Sequence, residues 1–149
     1  MAELRDLYQQ VILDHNRNPR HHRRLEHASH AADGHNPLCG DRIHLDLLVE
    51  DGVIRDVGFE GSGCAISTAA ASLMTSAVLG KTTAEAEGLF AAFHAMVVDP
   101  QAPAGAKELG KLAAFAGVRG FPARVKCANL PWHTLRAALF GGGEGATTE

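Results

Sequence analysis

Cysteine is scarce in this chain: three copies, an odd number, and too few for a disulfide framework. At 149 residues the chain is long enough for one domain with an ordinary hydrophobic core, so it does not need such staples. Long apolar runs are also missing. No stretch approaches a membrane-spanning helix, and the first ten residues contain two acids and no signal-peptide core. A cytoplasmic location is the expectation. Nor is positive charge in excess. Fourteen Lys and Arg against seventeen Asp and Glu give a formal net charge of -3, which removes the electrostatic footprint of a nucleic-acid binder. One local exception stands out, Arg17, Arg20, Arg23 and Arg24 with His21 and His22. Such a stretch reads equally as a solvated loop or as a docking surface for an acidic partner.

What is present is the composition of a soluble globular protein, 46% apolar and 21% charged. Leu4, Leu7, Tyr8 and Val11 follow helical spacing and predict an amphipathic helix over residues 2 to about 15, stopped near Asn18-Pro19. Residues 20–35 are polar and rich in histidine, which predicts loop or irregular strand. Ile43, Leu45, Leu47 and Val49 then alternate with His44, Asp46 and Glu50, Leu48 being the exception, up to Asp51-Gly52. A second alternation follows through Val53, Arg55, Val57 and Phe59, so a β-hairpin is predicted. Gly61-Ser62-Gly63 leads into a helix over about 64–79 with Ile66, Ala69, Ala70, Leu73 and Ala77 as its inward stripe and Gly80 as its stop. Thr82 and Glu85 form a capping-box pair for the next helix, which turns Ala86, Leu89, Phe90, Phe93 and Val97 inward and is broken by Asp99-Pro100 and Pro103. A shorter helix carries Leu109, Leu112, Ala113 and Ala116 and ends at Gly117. A last one runs from after Pro122 to about Phe140. The expected organisation is one domain over 1–140, α+β, with a small antiparallel sheet covered by helices, and a disordered tail over 141–149.

The three cysteines stand at expected breaks in regular structure. Cys39 lies in the turn-forming run Asn36-Pro37-Leu38-Cys39-Gly40-Asp41; Cys64 follows Gly61-Ser62-Gly63 at a helix start; Cys127 comes a few residues after Phe121-Pro122. Helix starts offer unpaired N–H groups that favour thiolates, and Arg124 and Lys126 beside Cys127 push the same way. Cys39 and Asp41, two apart in an extended segment, project on one face. With Cys64 and Cys127 they make a set of three sulfurs and one oxygen of the kind zinc accepts tetrahedrally. Spacing alone is not diagnostic. No C-x-x-C knuckle is present, inert core thiols are the competing account, and His35, His44 and His133 are rival ligands.

Four ordered stretches resemble the U-type iron–sulfur cluster assembly family (IscU and NifU N-terminal-like), most closely its SufU branch. They are residues 7–15 with Asn18-Pro19; Asn36 to Asp41; Gly61 through Cys64 to Ser67; and Arg124-Val125-Lys126-Cys127-Ala128 with Leu130 and Trp132. Lys126 stands where the scaffold branch has histidine, Phe121-Pro122-Ala123-Arg124 replaces that branch's chaperone-docking segment, and residues 98–120 resemble the insertion typical of SufU. The resemblance implies a SufE/IscU-like fold and zinc held by Cys39, Asp41, Cys64 and Cys127, with Arg124 and Lys126 as supporting charge. It also implies a sulfurtransferase-like activity: persulfide sulfur is accepted from a SufS-type cysteine desulfurase, a pyridoxal-phosphate enzyme, and passed to downstream iron–sulfur assembly proteins. Cys39, in a loop bounded by Pro37 and Gly40, is the expected sulfur acceptor. Two other readings stand beside it, a scaffold carrying a labile, transient Fe–S cluster on the same ligands and a structural zinc-binding interaction module.

Overall fold

The structure, a computed structural model, describes residues 2–37, 40–99, 107–118, 121–140 and 146–147. Helix α1 (Ala2–Arg17) is followed by strands β1 (His30–Asn36), β2 (Asp41–Glu50) and β3 (Val53–Ser62), helices α2 (Ala65–Val78) and α3 (Thr83–Val98), a 3₁₀ segment Lys107–Val118, helix α4 (Pro122–Phe140) and a two-residue strand β4 (Ala146–Thr147). The first three strands form an antiparallel sheet in the order β3-β2-β1, and β4 adds to β1 in parallel. The helices cover one face, so the expected α+β class, an antiparallel sheet under helices, is the one observed.

The predicted hairpin is β2–β3, turning at Asp51 and Gly52, both at positive φ (53° and 74°). Its second strand departs from simple alternation. The register shifts between Leu48 and Val49, so Leu48 faces Asp56 while Val49 faces Ile54, and Arg55 is the extra residue. Such a bulge moves the pleat by one. Ile54, Val57 and Phe59 are therefore the buried apolar side chains of β3, with Gly58 buried between the last two, whereas Arg55 is exposed and Val53 only half-buried. The irregular stretch expected over 20–35 resolves into a loop and a full strand. β1 pairs with β2 from His30↔Leu47 to Asn36↔Asp41, and its inward row is Ala32, Gly34 and Asn36, small residues that carry little hydrophobic periodicity.

Both caps of the middle helices follow their sequences. Cys64 is the N-cap of α2, and Thr82 and Glu85 exchange the two bonds of a capping box at α3. α2 is buried almost all round, Ser67, Ser72 and Thr75 included, so its inward face is far wider than the predicted stripe, in which Ile66 and Ala77 are only half-buried. On α1 the side chains of Leu4, Leu7 and Tyr8 lie outside the described set; Val11 and Ile12 pack against the core. Pro100 and Pro103 are also outside it, and α3 is closed by Asp99, whose N–H bonds Ala95 O. The expected short α-helix is 3₁₀ instead, with a break at Gly110 (φ 52°, ψ -126°) that only glycine adopts easily. Of the tail expected over 141–149, the two residues described pair with Gly34 and His35.

α4 lies on β1 because Gly34 has no side chain. A β-carbon there would run into Thr134 Oγ1, and Ile43 and Leu130 crowd the same spot. Leu130 and Thr134 thus seat the helix on the strand. Cys127, three residues before Leu130 and seven before Thr134, shares their face and points toward the end of β1, where Asn36 stands.

The basic stretch after α1 is largely used within the chain. Arg20 pairs with Asp14 (2.7 Å), Arg23 with Asp56 (2.6 Å) and Arg24 with Asp46 (2.9 Å), while His22 packs on Phe59. Buried His15 bonds Ser72 Oγ (2.6 Å), which also accepts from the Arg20 N–H (2.8 Å). Of the two readings, a loop fastened to α2 and the sheet describes it better than a free docking patch.

Candidate metal centre

Asp41, Cys64 and Cys127 converge at one end of the sheet. One carboxylate oxygen and the two sulfurs lie within 4.8 Å of one another, and this is the one group of three or more such side chains among the described residues. Cys39 lies outside the described residues. The bounds of its loop are fixed, for Asn36 and Asp41 are registered partners and the Gly40 N–H donates to Asn36 O (2.8 Å).

Each described member is positioned by the element that carries it. Asp41 opens β2 and shares the inward row of Ile43, Leu45 and Leu47, so its carboxylate enters the interior and is fully buried. There it accepts from the Cys64 backbone N–H through Oδ1 (2.9 Å) and from Asn36 Nδ2 through Oδ2 (3.3 Å). Cys64 takes the N-cap position, where its Sγ accepts from the Ser67 N–H (3.4 Å) and lies 4.0 Å from Asp41 Oδ2. A cysteine thus fills the role usually played by Ser, Thr, Asp or Asn, and the helix start supplies its sulfur with a donor.

Cys127 differs from its sequence reading. It sits in the second turn of α4, 3% exposed, ahead of the buried run Ala128 to Trp132. The expectation that each cysteine stands at a break in regular structure therefore fails for Cys127, which lies inside α4. Its backbone N–H falls within the helical ladder, and its sulfur accepts from Asn36 Nδ2 (3.6 Å). Pro131 does not interrupt α4.

The remaining candidates are placed elsewhere. Arg124 is exposed, its guanidinium 4.6 Å above the Phe121 ring, and Lys126 is half-buried beside Cys127 in the chain. His35 is outside this group, on the side of β1 opposite Asn36. His44 lies between Asp33 (2.9 Å) and Asp46 (2.8 Å), and His133 packs on Phe90 and His94. Sequence reasoning missed two residues, Asn36 and Gly63. The sequence places Asn36 in a turn-forming run and in a stretch that carries the family resemblance but gives it no role at the site, because its burial is set by residues far along the chain. A β-carbon on Gly63 would lie 2.6 Å from Asp41 Oδ1, so glycine there is a requirement of the carboxylate rather than of the turn.

Two sulfurs and a carboxylate oxygen, those of Asp41 and Cys127 buried and that of Cys64 half-buried, are gathered where glycine clears the space, a donor set suited to zinc and deficient by one ligand. Cys39, in the loop that joins Asn36 to Asp41, is the chain's remaining cysteine.

Comparison with known proteins agrees with this architecture. Residues 7–128 match the model of the NifU-like N terminal domain. The chain is 42% identical over 139 residues to the iron–sulfur cluster assembly scaffold protein IscU of Streptococcus pyogenes serotype M1, covering 93% of this chain and 86% of that one. It is equally 42% identical, over 138 residues, to the zinc-dependent sulfurtransferase SufU of Bacillus subtilis (strain 168), covering 93% and 92%. The crystal structure of FiSufU from Fervidobacterium islandicum AW-1 superposes with a TM-score of 0.82 at 36% identity, covering 87% of this chain and 94% of that one. On the length and identity of these matches, the chain belongs to the NifU-like N-terminal domain family, that of the iron–sulfur cluster assembly proteins IscU and SufU.

Proposed function

We propose that this protein is a zinc-dependent sulfur acceptor of the SufU type, working with a SufS-type cysteine desulfurase in iron–sulfur cluster assembly. The convergence of Asp41, Cys64 and Cys127 within 4.8 Å carries the reading, supported by the glycine cradle at Gly63 and by a relative named for zinc-dependent sulfur transfer. Cys39, Asp41, Cys64 and Cys127 would hold the zinc, which when bound keeps cysteine sulfurs as thiolates near neutral pH.

The residues divide the work. Asp41, Cys64 and Cys127 are held by a strand and two packed helices, and moving any of them means moving an element. Cys39 belongs to the short loop between β1 and β2, so it is the acceptor. Its thiolate attacks the terminal sulfur of the desulfurase's cysteine persulfide. A new sulfur–sulfur bond forms at Cys39, the old one breaks, and its electron pair leaves with the desulfurase thiolate. Three thiolates and a carboxylate crowd negative charge into one place, and Arg124 and Lys126 on the adjoining turns of α4 offset it.

The test uses the purified protein with desulfurase and cysteine. Mass spectrometry should find an added sulfur on the Cys39 peptide, and Cys39→Ser should not stimulate the desulfurase even with zinc in excess. A persulfide on Cys127 alone, with Cys39→Ser still active, would refute the assignment. The scaffold reading rests on the equally similar IscU relative. It would prevail if anaerobic purification gave a brown protein with a stable cluster and no zinc.

A further inference from the structure

Asn36 is a misfit in its strand. Its side chain is fully buried on the inward row that begins with Ala32 and Gly34, and asparagine is a poor strand former. Burying an amide is costly unless its polar atoms find partners. Two of the candidate ligands serve as partners, for Asn36 Nδ2 donates to Asp41 Oδ2 (3.3 Å) and to Cys127 Sγ (3.6 Å). Both are acceptors when ionised, which puts the amide nitrogen, not its oxygen, on this side.

The chemistry of that choice is specific. A lysine or arginine could also satisfy two anionic groups, but its charge would compete with a cation for them. An amide N–H stabilises thiolate and carboxylate without charge and does not titrate in the working range. It reaches across the chain as well, for Asn36 and Cys127 are 91 residues apart.

We propose that Asn36 is a positioning residue of the metal site: from one amide nitrogen it holds the Asp41 carboxylate and the Cys127 sulfur at the spacing a cation requires. This rests on the zinc reading above and adds a residue to it. Metal ligands held by such donors bind more tightly, and removing the donor typically lowers affinity by about 10- to 100-fold.

Cobalt(II) is the probe, titrated into the metal-free full-length chain against a chromophoric chelator and followed by its sulfur-to-cobalt charge-transfer bands. Asn36→Ala removes the amide and leaves space; Asn36→Leu removes it and keeps most of the volume. Both should bind cobalt about 10- to 100-fold more weakly than the unaltered chain, with altered charge-transfer intensity, while circular dichroism shows the metal-free fold retained. Wild-type affinity and spectrum in both variants would overturn the proposal. So would recovery in Asn36→Leu of what Asn36→Ala had lost, for volume would then be the cause. If the unaltered chain bound neither cobalt nor zinc, the zinc reading itself would fall, an outcome distinguishable from the other two.

Discussion

Gly63 leaves to the carboxylate of Asp41 the space a side chain would fill: a β-carbon would lie 2.6 Å from Oδ1 and 3.1 Å from Cγ. Asp41 cannot swing aside, being buried and held by the Cys64 N–H and Asn36. Gly63→Ala should therefore displace the carboxylate and cut zinc affinity on the order of tenfold or more, with a small change in metal-free stability. Competition with a zinc chelator measures the first and thermal melting the second. Unchanged affinity would mean that Asp41 is not part of the zinc site.

At Gly34 the consequence falls on packing. An alanine methyl there meets Thr134 and Leu130 and must lift α4 from β1. Gly34→Ala should cost about 1–3 kcal/mol in denaturant unfolding. Because Cys127 shares that helix face, metal affinity should fall as well. A neutral Gly34→Ala would show that α4 is seated by other contacts.

Metal removal should be felt by the whole fold. The protein as purified should hold about one zinc per chain, and chelation should lower its melting temperature, since binding energy at a closed site is partly folding energy. Cys39→Ser, Cys64→Ser and Cys127→Ser should each lose most of the metal in elemental analysis. Full occupancy in all three would rule out the proposed ligand set.

The pH response has a local origin in His44. Burial works against its charged form, yet bonds to Asp33 and Asp46 outweigh burial and raise its pKa above 6.5. A group whose pKa is raised by folding stabilises the fold below its unfolded value and loses that contribution as pH rises through the folded one. Burial, aided by Arg20, Arg23 and His94 respectively, lowers the pKa values of His15, His21 and His133, which oppose stability as pH falls below 6.5. The difference between the wild-type and His44→Gln melting profiles isolates the first effect. The wild-type advantage should be largest below about pH 6.5 and should shrink above it. An advantage that grew with pH would refute the assignment.

The parts of the fold that were legible in the sequence are those where one residue's local chemistry decides. Thr82 and Glu85 announce a helix start, Asp51-Gly52 a hairpin turn, and Gly80 a helix stop at positive φ. Less legible were features set by neighbours far along the chain. β1 buries alanine, glycine and asparagine, so its inward row carries no hydrophobic signal. Arg55 reads as one polar member of an alternation until β2 makes it a bulge. At the site, Cys64 could be placed from its glycines, because capping is local. Cys127 could not, since its surroundings are β1 and Asn36. Asn36 itself was hidden by its proline neighbour, which made a turn the simplest reading.

Asp41 begins a strand, Cys64 caps one helix and Cys127 lies within another, and Asp41 and Cys64 alone are separated by 23 residues. An ion among them would tie distant stretches of chain as a removable cross-link, closing loops that the unfolded chain leaves open. Solvent reaches this group chiefly at half-exposed Cys64, since Asp41 and Cys127 are buried. An ion held by all three would stay only while β2, α2 and α4 keep their places, so its release would report on their separation.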